Sequence, residues 1–220
     1  WFRGGKRDGT WAARAGCTLS HRAALENARK AGWETVLIFE DDVAFAPTFS
    51  PLLPAVGRVL AQHDWQVCYL GFTDPLSPVA RLAALDDRHS IYRIYGCATG
   101  HAYIVRAAAR DWILDQFPTE ATVWPWVARH RVSDRWYQRH LGAKFPVVCV
   151  SPGLAYQEAG YSDIVQREAD YRRQGEHQLE VPASSTGAIA SLQYGWRRAA
   201  VTAGLLRDVV RGWQRRLQGF

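Results

Sequence analysis

Methionine is absent from the 220-residue sequence, even at position 1, and lysine occurs only at Lys6, Lys30 and Lys144. The missing methionine predicts either that the chain is a fragment of a longer protein or that methionines have been lost in the transcription of the sequence. The remaining basic residues are arginines, so guanidinium groups carry nearly all of the positive charge behind the net +6. A guanidinium is a planar donor suited to phosphate and carboxylate. A GC-rich genome produces the same bias, and the sequence leaves both explanations open.

Long hydrophobic runs are absent as well. A helix needs about 20 consecutive apolar residues to cross a bilayer, whereas the longest runs here, residues 36–39 and 145–150, have the length of strands. No secretory leader is recognisable. We therefore expect a cytoplasmic protein.

Cysteine is too scarce for a disulfide-rich scaffold. The four cysteines are widely spaced and form no CxxC motif or Cys/His cluster in the sequence. Cys68, Cys97 and Cys149 have apolar or aromatic neighbours, which predicts buried thiols and a reducing compartment.

Short apolar runs alternate with helical segments along residues 18–152. We predict helices over residues 18–31, 52–62, 107–116 and 133–141, and strands over residues 35–39, 67–70, 91–95, 102–105 and 145–150. Thr18 or Ser20 is expected to cap the first helix, Ser133 to cap the last, and Gly32 to end the first in the left-handed conformation. The unalternating run 35–39 indicates a central strand that is covered on both faces. This order of elements predicts a layered α/β domain.

The pattern of apolar and basic residues changes near the carboxyl end, so we divide the chain into a core of residues 1–182 and a tail of residues 183–220. Apolar residues from Leu192 to Leu217 recur in alternating steps of four and three, which predicts a helix with one apolar stripe. Arginines fall largely outside the stripe. The helix either docks on protein or lies, through residues 188–220, on anionic lipid. No basic-aromatic module accompanies the charge, so we expect no nucleic-acid partner.

Three consecutive acids, Glu40, Asp41 and Asp42, follow the predicted strand 35–39. Ligands of α/β proteins bind at such strand ends, and neighbouring carboxylates require a compensating charge. Mn²⁺ or Mg²⁺ supplies that charge and prefers carboxylate oxygen. The alternative is a solvated turn that caps a helix.

Five segments of the sequence, spanning about residues 15–165, resemble glycosyltransferase family 25 in residue type and order. The first two are the most specific: residues 16–21 (GCTLSH) before a helix, and residues 36–43 (VLIFEDDV) as a strand that ends in an EDD motif. Residues 100–105 (GHAYIV), 132–134 (VSD) and the closing Pro152, Gln157 and 162–164 (SDI) are similar to later blocks of the family. The family normally begins with a further strand and helix that hold the nucleotide. Residues 1–15 are too short to supply them, which again predicts an amino-terminally truncated chain.

The resemblance implies a GT-A-like, Rossmann-type layered fold and an inverting, metal-dependent hexosyltransferase. The expected donor is a UDP-sugar, most often UDP-galactose. The expected acceptor is a hydroxyl on a lipooligosaccharide or another lipid-linked surface glycan, which would place the protein at the inner face of a bacterial inner membrane. Glu40 and Asp42 stand where the family holds its Mn²⁺ or Mg²⁺, and Asp41, which lies between them, is expected at the donor.

Further roles follow from the resemblance. Asp134 is the first candidate for the base that takes the acceptor proton, and its alternative is a helix-capping carboxylate. Asp163 is the second candidate. Ser20, His21, Gly100 and Gln157 are expected at the donor, although His21 and Ser20 also suit structural roles and Gly100 suits a simple turn. An aromatic-rich stretch near Asp134 is either a platform for acceptor sugars or ordinary core, and it comprises Trp124, Trp126, Trp136 and Tyr137.

Two other functions fit parts of the sequence. A Mg²⁺-dependent phosphohydrolase would use the same acids to activate water. It would release phosphate or nucleotide without an acceptor. A non-catalytic domain that binds glycan or docks on a membrane would use the basic tail and would show no metal-dependent binding of a nucleotide sugar.

Overall fold

The computed structural model describes residues 9–164, 166–170, 179 and 180, and the six positions 192, 195, 196, 199, 203 and 210. In this part of the chain the helices are α1 (Gly9–Lys30), α2 (Phe49–Leu60), α3 (Ala107–Gln116), α4 (Val123–His130) and α5 (Ser133–Lys144). The strands are β1 (Thr35–Phe39), β2 (Val43–Phe45), β3 (Val67–Ala84), β4 (Ser90–Arg106), β5 (Val147–Ser151), β6 (Ala155–Gln157), β7 (Gly160–Ser162) and β8 (Arg167–Ala169).

The main sheet is mixed and mostly antiparallel, with the strand order β1-β4-β3-β5. Among the described strands, the one parallel pairing joins residues 67–69 of β3 to residues 147–149 of β5. The prediction of an α/β domain is confirmed. The prediction of a Rossmann-type sheet is wrong, because that architecture is mostly parallel and here the long β3–β4 hairpin imposes antiparallel pairing.

β3 and β4 each occupy two positions in the sheet. The start of β3 pairs with the end of β4, while residues 90–94 of β4 pair with β5. β5 therefore lies between the start of β3 and the first half of β4. Register shifts between Tyr69 and Pro75 accompany the bend in β3. The sequence predicted the two halves of β4 as separate strands, because the flexible residues 96–100 lie between them.

β1 has the predicted bounds but not the predicted position. It pairs with β4 in antiparallel register and lies at the edge of the sheet formed by the described strands. Its two faces nevertheless both pack: Val36 and Ile38 are buried in the cluster that contains α1 residue Leu25, and Leu37 packs on the cluster that contains α2 residue Val56. The unalternating run reflects these two covered faces. The prediction that β1 is a central strand was wrong, because a strand at the edge of a sheet has the same apolar run when helices cover both of its faces.

The first helix is longer than predicted. α1 extends back to Gly9, so Thr18 lies inside the helix and its hydroxyl donates to the carbonyl of Arg14 rather than capping a start. Its end is as predicted, since Gly32 has a φ of 69° and Trp33 N–H donates to the carbonyl of Ala28 at 3.1 Å. The cap predicted at Ser133 is wrong as well, because Ser133 is the first residue of α5 and Val132 precedes it as the cap.

α5 lies unusually close to β4. A Cβ atom at Gly142 would be 1.7 Å from the carbonyl oxygen of Tyr95, and one at Gly96 would be 2.8 Å from the carbonyl oxygen of Gln138. Both positions require glycine because backbone, which cannot rotate away, occupies the space. Gly96 therefore allows the close packing of α5 on β4.

Aromatic and thiol side chains fill the core on the α5 side of the sheet. Trp136 is 3% exposed and Tyr137 is 1% exposed, so these two side chains belong to the core, as one of the two interpretations of the aromatic stretch expected. Trp124 and Trp126 are partly buried against a neighbouring hydrophobic cluster. The prediction of buried thiols is confirmed for Cys68, Cys97 and Cys149, which are free and buried. Burial raises the pKa of the Cys97 and Cys149 thiols well above their usual range.

The predicted tail, residues 183–220, lies outside the described residues except for six positions. At three of them, Leu192, Trp196 and Val210, the side chain is more than half exposed. The two interpretations of the tail therefore stay predictions. Within the described part of the chain, no helix has both the length and the apolar character needed to cross a membrane.

His130, at the end of α4, makes the stability of the fold sensitive to acid. Burial, and then the charges of His140, Arg129 and Arg139, lower the pKa of His130 from 6.5 to about 3. Between these two pH values the unfolded chain binds a proton that the folded chain excludes, so the free energy of unfolding falls as the pH drops through this window. We expect urea midpoints at pH 7 and pH 4.5 to differ less in His130→Gln than in the wild type. Equal differences in the two proteins would contradict the prediction.

Candidate functional site

A cavity of about 700 Å³ lies between the end of β1, one face of α1 and the segment that contains β6 and β7. Seven of the residues predicted as functional line it: Ser20, His21, Glu40, Asp41, Asp42, Gln157 and Asp163. These residues are up to 143 positions apart in the chain. The structure therefore brings the amino-terminal motifs together with the closing segment of the sequence.

Two carboxylates, Glu40 and Asp42, share one amide. Glu40 N–H donates to the His101 carbonyl at 2.9 Å, and Val43 N–H donates to the Glu40 carbonyl at 3.3 Å, so the backbone turns sharply between β1 and β2. β2 pairs with β6, which sets Gln157 opposite Val43. The Gln157 amide nitrogen lies 3.3 Å from Glu40 Oε2 and 3.1 Å from Asp42 Oδ2. The amide nitrogen thus lies between the two carboxylates, at a position where a bound cation would neutralise their negative charge.

The electrostatics of the turn favour a bound cation. Burial and the neighbouring carboxylate of Glu40 raise the pKa of Asp42, and the hydrogen bond from Gln157 opposes them only in part. Like charges held this close disfavour each other's ionised form. Oxygen-rich sets of this kind suit Mg²⁺ and Mn²⁺. The residues present therefore fit the predicted metal.

His21 is a buried partner of Glu40. Its ring is 5% exposed, and its Nε2 lies 3.1 Å from Glu40 Oε1. Its Nδ1 lies 3.1 Å from the hydroxyl of Tyr103, which in turn lies 3.2 Å from the hydroxyl of Tyr137. Burial lowers the pKa of His21, but Tyr103, Cys17 and Glu40 outweigh it and hold that pKa well above its usual range. The protonated ring then supplies a positive charge to Glu40.

Asp134 and Gly100 are the two predicted residues that do not line the cavity. Asp134 lies in the first turn of α5, and its charge adds to burial, the main cause, in raising the pKa of the core side chains Tyr69 and Cys97. Gly100 lies beside the site: a Cβ atom there would be 3.7 Å from the His21 ring and 3.8 Å from Glu40, which is ordinary contact. Of the two candidate bases, Asp163 is the one at the cavity.

Sequence reasoning missed two features of the site. Cys17 lines the cavity beside His21, and the spacing of four residues on one helix was a readable signal. Phe39, Phe45 and Phe49 form an aromatic cluster next to the acidic turn, with ring centroids 4.5–6.0 Å apart. Phe39 and Phe45 are both more than one-third exposed. These phenylalanines come from β1, β2 and α2, so their contact depends on the tertiary fold.

No protein-family model matches the chain, and no curated protein sequence is significantly similar to it.

Proposed function

We propose that the protein is a metal-dependent glycosyltransferase that moves a hexose, with galactose as the first candidate, from a UDP-sugar to a hydroxyl of a lipooligosaccharide or another surface glycan. The observation that carries the proposal is the pair of carboxylates, Glu40 and Asp42, which share the Gln157 amide beside the cavity. Clefts of roughly 300–1,000 Å³ are typical of sites for small molecules. The sequence segments that resemble family 25 contribute most of the polar residues around this cavity.

The same proposal includes a GT-A-like fold for the core. Its support is the α/β sheet with helices on both faces and an acidic motif directly after an edge strand. Ligands in α/β domains bind at the carboxyl ends of strands, and Glu40 follows the last residue of β1. The proposed fold differs from the predicted one in its strand directions: the main sheet is mixed and mostly antiparallel, and a Rossmann-type sheet is mostly parallel.

In this mechanism Glu40 and Asp42 would hold the cation, in place of the Gln157 amide that bridges them here. Mn²⁺ or Mg²⁺ held there would stabilise the negative charge that develops on the diphosphate. Asp163 takes the proton of the acceptor hydroxyl. The acceptor oxygen bonds to the anomeric carbon, the bond from that carbon to the β-phosphate oxygen breaks, and UDP leaves with the electron pair. Attack opposite the leaving group inverts the anomeric centre.

Two further residues position the reactants. His21 holds Glu40 Oε1 from the protein side, so that Glu40 Oε2 faces Asp42 and Gln157. Ser20 is exposed at the cavity and offers its hydroxyl to phosphate or sugar.

Calorimetric titration of UDP-galactose and UDP, with and without Mn²⁺, tests the proposal. We expect binding that requires the cation, followed by transfer to a glycan acceptor with release of UDP. Release of UDP and free galactose at the same rate without any acceptor would instead indicate a hydrolase. No cation-dependent binding by folded protein would contradict the proposal and favour a binding module.

We also propose that the arginine-rich residues 188–220 hold the protein at the inner face of a bacterial inner membrane. Guanidinium groups attract anionic headgroups, and tryptophan favours the interface. The variant that ends at residue 187 is expected to lose binding to vesicles that contain phosphatidylglycerol, as measured by co-sedimentation. Unchanged sedimentation of the shortened chain would rule this role out.

A further inference from the structure

Cys17, His21 and Glu40 form a mixed cluster of sulfur, nitrogen and oxygen donors. One ligand atom from each residue lies within 4.8 Å of the other two. Cys17 and His21 lie one turn apart on α1, and Glu40 follows β1. All three residues line the cavity. The cluster therefore combines a rigid helix face with the end of a strand.

We propose that these three residues form a second cation site, selective for a thiophilic divalent ion of the Zn²⁺ class. It is separate from the hard-cation site because it uses Glu40 Oε1, whereas Oε2 faces Asp42 and Gln157. One carboxylate would then join two cations of different chemistry. This inference goes beyond the proposed glycosyl transfer and does not depend on it.

The distances suit a small tetrahedral ion. Zinc bonds of about 2.0–2.3 Å to nitrogen, oxygen and sulfur place ligand atoms roughly 3.3–3.6 Å apart. His21 Nε2 and Glu40 Oε1 are already 3.1 Å apart. Cys17 Sγ lies within 4.8 Å of both atoms, so a side-chain movement of about 1 Å would bring it to the ligand spacing of a zinc site.

Each ligand also has an outer partner that fixes its orientation. When a cation displaces the proton from His21 Nε2, the Nδ1–H still faces the Tyr103 hydroxyl, 3.1 Å away, and this contact keeps the ring in its orientation. The hydroxyl of Ser133 lies 3.4 Å from Cys17 Sγ and can donate to a thiolate. Gln157 holds the second oxygen of Glu40. Zinc ligands in proteins characteristically have such outer hydrogen bonds, and their loss costs about 10- to 100-fold in affinity.

The donor set determines which ion is favoured. A thiolate and an imidazole select Zn²⁺ or Co²⁺ over Mg²⁺ and Mn²⁺, which prefer oxygen. Three protein ligands leave the fourth position of a tetrahedral ion open. Since all three side chains line the cavity, the open position would face the cavity.

Titration of the full, reduced chain with Co²⁺ alone tests the site, because a thiolate bound to Co²⁺ gives a charge-transfer band in the near ultraviolet. We expect this band in the wild type and its loss when Zn²⁺ is added. Cys17→Ser should abolish the band and weaken Zn²⁺ binding at least about 100-fold, since it removes a ligand rather than an outer partner. Ser133→Ala should keep the band and weaken binding about tenfold.

Asp42→Asn is the matched control, because it removes a ligand of the hard-cation site alone. It should keep the Co²⁺ band while Mn²⁺-dependent binding of UDP-galactose is lost. No band in folded wild-type protein, or a band that persists in Cys17→Ser, would overturn the second site. Because this readout uses neither Mn²⁺ nor a nucleotide, its failure is distinguishable from failure of the proposed transferase.

Discussion

The Asp42→Asn variant is expected to lose Mn²⁺-dependent binding of UDP-galactose by at least about 100-fold, because it removes a charged ligand from the pair that shares Gln157. The stability of the folded protein should not decrease. Burial and Glu40 already disfavour the ionised form of Asp42, as its raised pKa indicates, so a neutral side chain relieves repulsion. Calorimetry with and without Mn²⁺ measures the first effect, and the thermal midpoint measures the second.

Asp41→Asn provides the matched control for this loss. It makes the same charge change one residue away, in the same turn, where the side chain is exposed. We expect it to weaken binding less than about tenfold, since a neighbouring charge acts through solvent rather than as a ligand. Equal losses in the two variants would mean that the net charge of the turn, rather than ligation by Asp42, governs binding.

The Gly142→Ala variant is expected to be the most destabilising single methyl addition in α5. The new Cβ would lie 1.7 Å from the carbonyl oxygen of Tyr95. Backbone atoms cannot rotate away, so α5 would have to separate from β4 and disrupt the cluster around Trp136 and Leu141. We expect a loss of about 4 kcal/mol or more in the free energy of unfolding, at the upper end of overpacking effects. Urea denaturation monitored by tryptophan fluorescence measures it.

Gly57→Ala makes the same substitution in α2, where the glycine is exposed and a Cβ atom would meet nothing within 4 Å. Here the gain in helix propensity should stabilise the protein by about 0.5–1 kcal/mol. The two variants thus have opposite expected signs. If Gly142→Ala were as stable as the wild type, the close approach of α5 to β4 would be wrong.

Local patterns were sufficient to predict the elements that are regular along the chain. β1 and α3 have the predicted bounds, because an apolar run before acids and a helix that stops before Pro118 are local signals. β3 was predicted to end at residue 70, since Pro75 and Pro78 suggested irregular chain. In the structure β3 continues through both prolines with shifted register, because irregularities in a ladder accommodate residues that lack an N–H.

The candidate site was predictable in its residues but not in its geometry. Seven predicted residues do converge on one cavity, because the end of β1, one face of α1 and the segment that contains β6 and β7 face each other. Asp134 was expected there too, but the sequence of a short helix does not reveal which layer its first turn faces. The proximity of Cys17 to Glu40 was equally hidden, since it depends on how α1 lies against the end of β1.

The position of β5 between two parts of one hairpin has a consequence for the order of folding. The β3–β4 hairpin can form from neighbouring segments, but β5 enters only after more than 40 further residues have been synthesised. Its insertion ties both halves of the hairpin together through long-range pairing, which is the slow kind. All five β5 residues are buried and paired on one edge or both. Their amide protons should therefore exchange with solvent only when the whole domain opens.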